Sequence, residues 1–444
     1  MAKRTVLVIL AGMLYQKIAH LMAALLLMNA SNAQPTTTPW LQSYLQQQPG
    51  KSLAAILKDP AKYRCQILYI QIDRDAANKP ILKPHYVYYD PALYFNPASM
   101  VKMPLAFLAL EKLNRLGLLG VDHTTPMEFL KSQPWQTALS EDNTARNGKP
   151  SIGHFIKKAF LVSDNDAYNR LYQWMGQREL HDRLWEKGYK DVVIPRQFLG
   201  LTPEQGRYTN AIRFLDVEEH PLYEQPEAYN PTPIPQGEKI LLGKAHIDRE
   251  GKRVEAPFDF TPHNRLSLGD MAHMLLSVLI PEAFEPSQQF QLSADDHQFL
   301  RYWLSAYPSE TDEPKYDTEK YYDSYVKFFF RDSTKSMPPS VRVFNKVGWA
   351  YGFLTDVSYV ADFDKGLEYL LAATVYVNSN ETLNDGTYDY ETLGWPFMYE
   401  LGQAMYRYEQ QRQRPRAPDL ESIRLKYGKR DPLDPMPVIS EVDN

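Results

Sequence analysis

Phe95-Asn96-Pro97-Ala98-Ser99-Met100-Val101-Lys102 is the stretch that decides how this chain is read. Upstream of it, Cys65 to Asp73 and His85 to Tyr89 are β-branched and aromatic and are joined by a polar connection holding Asp75, Asn78 and Pro80, so they read as a β-hairpin. From Ala98 onward the apolar residues change to helical spacing, at Val101, Leu105, Leu108, Leu113 and Leu116, with Gly117 as the stop. The octet therefore spans a strand-to-helix junction. Ser99 and Lys102 lie one helical turn apart and project to the same side, which lets an amine take the proton of a hydroxyl. Ser99 also opens the helix, where free backbone N–H groups and the dipole favour developing negative charge.

Working outward, helical patterns continue at Ile152 to Leu161, Asp166 to Met175 and Glu179 to Gly188, and return at Leu266 to Leu279 and Ala294 to Leu304. Three strands are expected at Val341 to Trp349, Thr355 to Asp362 and Glu368 to Val377, then a helix from about Thr392 to Tyr408. Strands at both ends of a helical middle imply an α/β chain of the α+β type, with one antiparallel sheet built from the two termini and an all-helical lobe. Residues 197–262 break the rhythm with prolines and form an inserted loop or hairpin, and residues 411–444 form an extended tail.

The first 33 residues are expected to be a signal peptide. Lys3 and Arg4 precede apolar runs too short to span a bilayer, and Ser31-Asn32-Ala33 offers small residues for cleavage. Removal leaves residues 34–410 as the main domain, without a stable membrane span and secreted, into a bacterial periplasm. A net charge of −5 with no long basic run speaks against nucleic acid as a partner. One cysteine, Cys65, excludes an internal disulfide framework, and the ten histidines show no His-x-x-x-His or His-Glu-x-x-His spacing, so no metal is expected.

Two further short motifs carry chemistry. Ser163-Asp164-Asn165 lies between two helices, where all three residue types also serve as helix caps. Lys346-Val347-Gly348 lies in a strand, where the glycine would let a ligand approach the backbone closely. A second Ser-x-x-Lys, Ser324 to Lys327, is followed by no Ser-Asp-Asn.

In this order, Ser-x-x-Lys at a strand-to-helix junction, Ser-Asp-Asn between helices and Lys-x-Gly on a late strand, the chain resembles the penicillin-recognising serine hydrolases, most of all their class A β-lactamase branch, over about residues 50–195 and 264–410. The resemblance implies roles residue by residue. Ser99 is the nucleophile, Lys102 helps deprotonate it, Ser163 passes a proton to the leaving nitrogen, Asn165 holds the substrate's side-chain amide, and Lys346 supplies positive charge. Gly348 completes the third motif, and the N–H groups of Ser99 and Trp349 form the oxyanion hole. The implied substrate is a β-lactam or a peptidoglycan-derived peptide, with no cofactor. The alternatives are a penicillin-binding-protein-like D,D-peptidase or transpeptidase with slow deacylation, and a non-catalytic relative that binds cell-wall peptide.

The chain departs from the family pattern twice. Val347 stands where the family has a hydroxyl residue, which implies weaker recognition of a β-lactam carboxylate. The family's Glu-x-x-Leu-Asn loop, whose glutamate activates the deacylating water, does not occur between Ser163 and Lys346. Glu204, in Thr202-Pro203-Glu204-Gln205-Gly206, is the nearest by position and stands as the candidate deacylation base.

Overall fold

The computed structural model describes residues 36–442, so the expected signal peptide and its cleavage point lie outside the described residues. The main sheet has five strands, labelled in chain order β1 (Gln66–Arg74), β2 (Pro80–Val87), β3 (Val341–Ala350), β4 (Phe353–Asp362) and β5 (Leu367–Tyr376). Its spatial order is β3-β4-β5-β1-β2, antiparallel throughout, so the two chain ends meet at the β5–β1 pair. β2 begins at Pro80, earlier than the residue pattern suggests, and also holds Pro84. A strand with two prolines is tolerated because β2 is a sheet edge.

Both faces of the sheet are covered, and the alternation along each strand says by what. Leu68, Ile70 and Ile72 of β1 and Phe344, Val357 and Tyr359 face the helical lobe, whereas Ile67, Tyr69, Val343, Val347 and Val360 face a second core. Helices α1 (Pro39–Gln46), α2 (Lys51–Lys58) and α9 (Trp395–Gln411) close that second face, contributing Leu41, Leu53, Ile56, Met398 and Leu401. The lobe is built from α3 (Lys102–Leu116), α4 (Ile152–Leu161), α5 (Asn165–Met175), α6 (Gln177–Glu186), α7 (Leu268–Leu279) and α8 (Ala294–Ser305). Every residue of α3 from Lys102 to Leu113 is buried, so this helix is the axis of the lobe.

The proline-rich stretch holds more order than a loop. Ala211–Leu215 pairs with Met127–Leu130 and with Pro221–Gln225, and Ala245–Ile247 pairs with Arg253–Val254 in a hairpin. That hairpin is tied to the main domain by parallel pairing of Ala245 and His246 with Thr382 and Leu383. The tail is extended but packed. Val438–Ile439 pairs with Lys315–Tyr316, and Leu420 and Ile423 are buried against the lobe. Among the described residues no helix is long and apolar enough to cross a membrane.

Candidate active site

Ser99 sits in a 3₁₀ turn, Ala98–Val101, that runs directly into α3 at Lys102. In a 3₁₀ turn residues three apart eclipse one another, so the Ser-x-x-Lys spacing places both side chains on one side more closely than an α-turn would. The turn is entered through Ala98 at φ +44°, a left-handed value uncommon outside glycine, and Asn96 supports it by accepting the Ala98 N–H through Oδ1 at 2.9 Å.

Ser163 is the second strained point, at φ +66° in the link between α4 and α5. The link is short because its neighbours end both helices. Val162 N–H closes α4 onto Lys158 O, and Asp164 caps α5 by accepting the Ala167 N–H at 2.8 Å. The middle residue of the motif is therefore a cap, and the two outer residues face α3. Lys102 Nζ donates to the Ser163 carbonyl, to Asn165 Oδ1 at 2.7 Å and, at 3.4 Å, to Ser163 Oγ. From the sheet side Lys346 Nζ donates to the same Oγ at 2.9 Å. One serine hydroxyl thus lies between two lysine amines, and all three side chains are buried. Burial, with the Lys102 charge as the next cause, holds the Lys346 ammonium well below the ordinary lysine range.

Gly348 explains how an edge strand comes this close to Ser99. A Cβ built at Gly348 would lie 2.2 Å from Pro97 O, 3.0 Å from Met100 Cγ and 3.1 Å from Met100 N. Only a residue without a side chain lets β3 rest on the Ser99 turn. Lys346 and Gly348 face this side of the sheet, so Val347, between them, faces the other. It is fully buried in the second core with Phe328 and Leu354. The valine side chain is therefore packed on the face opposite Lys346 and Gly348.

Ser99, Asn165 and Trp349 line a cavity of about 700 Å³, together with Arg196, Phe198, Arg249, His263 and Asn264. Phe198 stands on the cavity wall beside Lys102. Its ring lies 5.4 Å from Lys102 Nζ and packs on Tyr168 at 4.5 Å, and its N–H is held by Asn169 Oδ1 at 2.8 Å. Glu204, the candidate deacylation base, does not line this cavity. Its carboxylate is more than half exposed, pairs with Arg207 at 2.6 Å, accepts the Tyr229 hydroxyl at 2.7 Å, and lines the adjoining cavity of about 200 Å³. A polar, proline-started turn with an arginine three residues on keeps it at the surface.

The second Ser-x-x-Lys is part of the interior. Lys327 donates to Leu304 O at 2.9 Å and Asn345 Oδ1 at 2.7 Å, and Asn345 Nδ2 donates to Asp356 Oδ1 at 2.9 Å. Burial moves the lysine down to about 7 and the aspartate up to about 7. Sequence reading missed Arg196, Phe198, Arg249, His263 and Asn264. Asn169, one turn beyond Asn165 on α5, was a readable hint that a loop docks there, whereas nothing local marks Arg249. Among the described residues no three His, Cys, Asp or Glu side chains are grouped so as to hold a metal ion.

Residues 48–293 match the family model described as the Beta-lactamase enzyme family. The chain belongs to the β-lactamase enzyme family. The matched part of this β-lactamase-family serine hydrolase carries Ser99, Lys102, Ser163 and Asn165, while Lys346 and Gly348 lie beyond it. No curated protein matches the chain. Among solved structures it is similar to a β-lactamase from Sphaerobacter thermophilus (13% identity, TM-score 0.43, covering 81% of this chain and 97% of the other). It is also similar to a β-lactamase from Desulfarculus baarsii (14%, 0.42, 83% and 99%) and to a PBP-A variant solved as an acyl-enzyme complex with penicillin G (14%, 0.44, 84% and 99%).

Proposed function

We propose that this protein is an exported serine hydrolase that opens a β-lactam, or a peptidoglycan-derived peptide amide, by acylation of Ser99, and that it releases the acyl group slowly. The observation that carries the reading is the Ser163 hydroxyl held between the Lys102 and Lys346 amines beside the Ser99 turn. Ser99 Oγ attacks the carbonyl and gives its proton to the Lys102 amine. The carbonyl oxygen becomes an oxyanion at the Ser99 and Trp349 N–H groups. On collapse the C–N bond breaks, and the nitrogen takes a proton through Ser163 from a lysine, leaving an ester on Ser99.

Hydrolysis of that ester needs a base at the water. Phe198 offers a ring beside Lys102, and Glu204 is engaged with Arg207, which supports a penicillin-binding-protein-like enzyme over a fast β-lactamase. The test is incubation with a fluorescent penicillin, following both labelling and release, with mass spectrometry of the labelled peptide. One equivalent bound at Ser99 and released slowly is expected. No adduct, or an adduct on Ser324, would overturn the proposal.

A further inference from the structure

The Ser99 cavity is lined by two arginines and by no Asp or Glu. Among the described residues, Arg74, Arg183, Arg342 and Arg412 are matched to Glu368, Glu111, Glu310 and Asp73, while Arg64 and Arg301 donate to backbone carbonyls and Arg331 stacks on Trp395. Arg196 and Arg249 form no ion pair among the described residues. An unmatched guanidinium on a cavity wall is a site for an anion, and its planar fork suits a carboxylate.

Arg196 is held through its side chain and Arg249 only through the turn that carries it, and neither is paired with a carboxylate among the described residues. Arg196 is half-buried, its Nη1 lies 3.1 Å from His263 Nε2, and its backbone is tied by the Tyr168 hydroxyl to Arg196 O at 2.9 Å. His263 is packed between Phe260 and Tyr351, and burial, then the Arg196 charge, moves it down to about 3. It is therefore a neutral acceptor that orients the guanidinium and leaves its charge for a ligand. Arg249 stands at the tip of the inserted hairpin. Asp248 Oδ1 accepts the Glu250 and Lys252 N–H groups at 3.1 and 2.8 Å, and Gly251 turns the chain at φ +79°. Pairing of that hairpin with Thr382 and Leu383 fixes it to the main domain. Arg196, Leu199 and Arg249 line both the Ser99 cavity and the 200 Å³ cavity beside it, so the arginines stand where the two spaces adjoin.

We infer that Arg196 and Arg249 form an anion subsite that selects substrates with a carboxylate on the acyl portion, the part that runs from the reacting carbonyl past Asn165. This deepens the proposed acylation of Ser99 and rests on it. The proline-rich insertion is then a specificity element: it brings one cation to a site whose chemistry the main domain supplies.

The first arm compares acylation of the intact protein by benzylpenicillin and by carbenicillin, which adds a carboxylate to the same side chain, using mass spectrometry. Carbenicillin is expected to gain about tenfold over benzylpenicillin relative to their ratio in Arg249→Gln, the size of one charge-assisted contact. Arg249→Lys should keep part of that gain, and Arg196→Gln should lose it. Arg249 is exposed, so its variants test binding without endangering the fold. The same drug ratio in the wild type and both glutamine variants would overturn the subsite while leaving the acylation reading intact. The second arm uses Ser99→Ala protein and equilibrium binding of N-acetyl-Glu-D-Ala-D-Ala against its Gln counterpart. If neither drug acylates Ser99, the functional reading falls, and a glutamyl preference that vanishes with Arg249→Gln still upholds the subsite. Equal binding of the two peptides would count against it.

Discussion

Gly348→Ala adds one methyl group at the contact between β3 and the Ser99 turn. Its Cβ would stand 2.2 Å from Pro97 O, while ordinary contact begins at 3.4 Å, so strand and turn must separate by about 1.2 Å. Neither side yields cheaply. Pro97 O already accepts the Met100 N–H at 2.9 Å, and β3 is held along its length by β4, from Val341 opposite Asp362 to Ala350 opposite Phe353. Two backbones meet here, so no rotamer change can absorb the overlap. Forcing an extra methyl into packed structure costs roughly 1–3 kcal/mol of stability. A misplacement of about 1 Å between Ser99 and the strand bearing Lys346 costs acylation about 10²-fold. Stopped-flow labelling with a fluorescent penicillin, beside a thermal melt, measures both. Acylation within threefold of the wild type at an unchanged Tm would refute the claim that Gly348 sets this approach.

Ser99→Ala should abolish covalent labelling while Ser324→Ala leaves it intact, read by peptide mass spectrometry, because Ser324 is sealed in the interior beside Lys327. Phe198→Glu places a carboxylate beside Lys102 and should speed release of the acyl group by roughly 10²-fold, whereas Glu204→Gln should leave release unchanged; pulse-chase of the labelled protein decides both. Lys327 has a native pKa of about 7 against an ordinary 10.5, so the unfolded chain binds more protons between these values and stability should rise with pH across that window. The downward direction of Lys346 acts with the same sign, so melts from pH 7.5 to 9.5 should rise in the wild type and rise less in Lys327→Met; equal slopes would contradict the assignment. N-terminal sequencing of exported protein should begin at Gln34, and a product retaining Met1 to Ala33 would contradict the signal reading.

The order of Ser99-x-x-Lys102, Ser163-Asp164-Asn165 and Lys346-x-Gly348, and the strand-to-helix junction at Ala98, were legible because each depends on neighbours in the chain. Strand alternation likewise put Lys346 and Gly348 on one face and Val347 on the other. Which of those faces meets Ser99 was decided only by the fold, since the strand pattern is equally apolar on both sides of a sheet covered twice. The same holds for the two copies of Ser-x-x-Lys. Locally they look alike, and it is packing that opens one to a cavity and closes the other behind Asn345 and Asp356. Arg196, Phe198, Arg249 and His263 come from irregular chain with no period to read, and they reach the site through contacts spanning long separations. Their side chains acquire a role only when α5, the inserted hairpin and the edge of the sheet are brought around one cavity, and no local spacing encodes that arrangement.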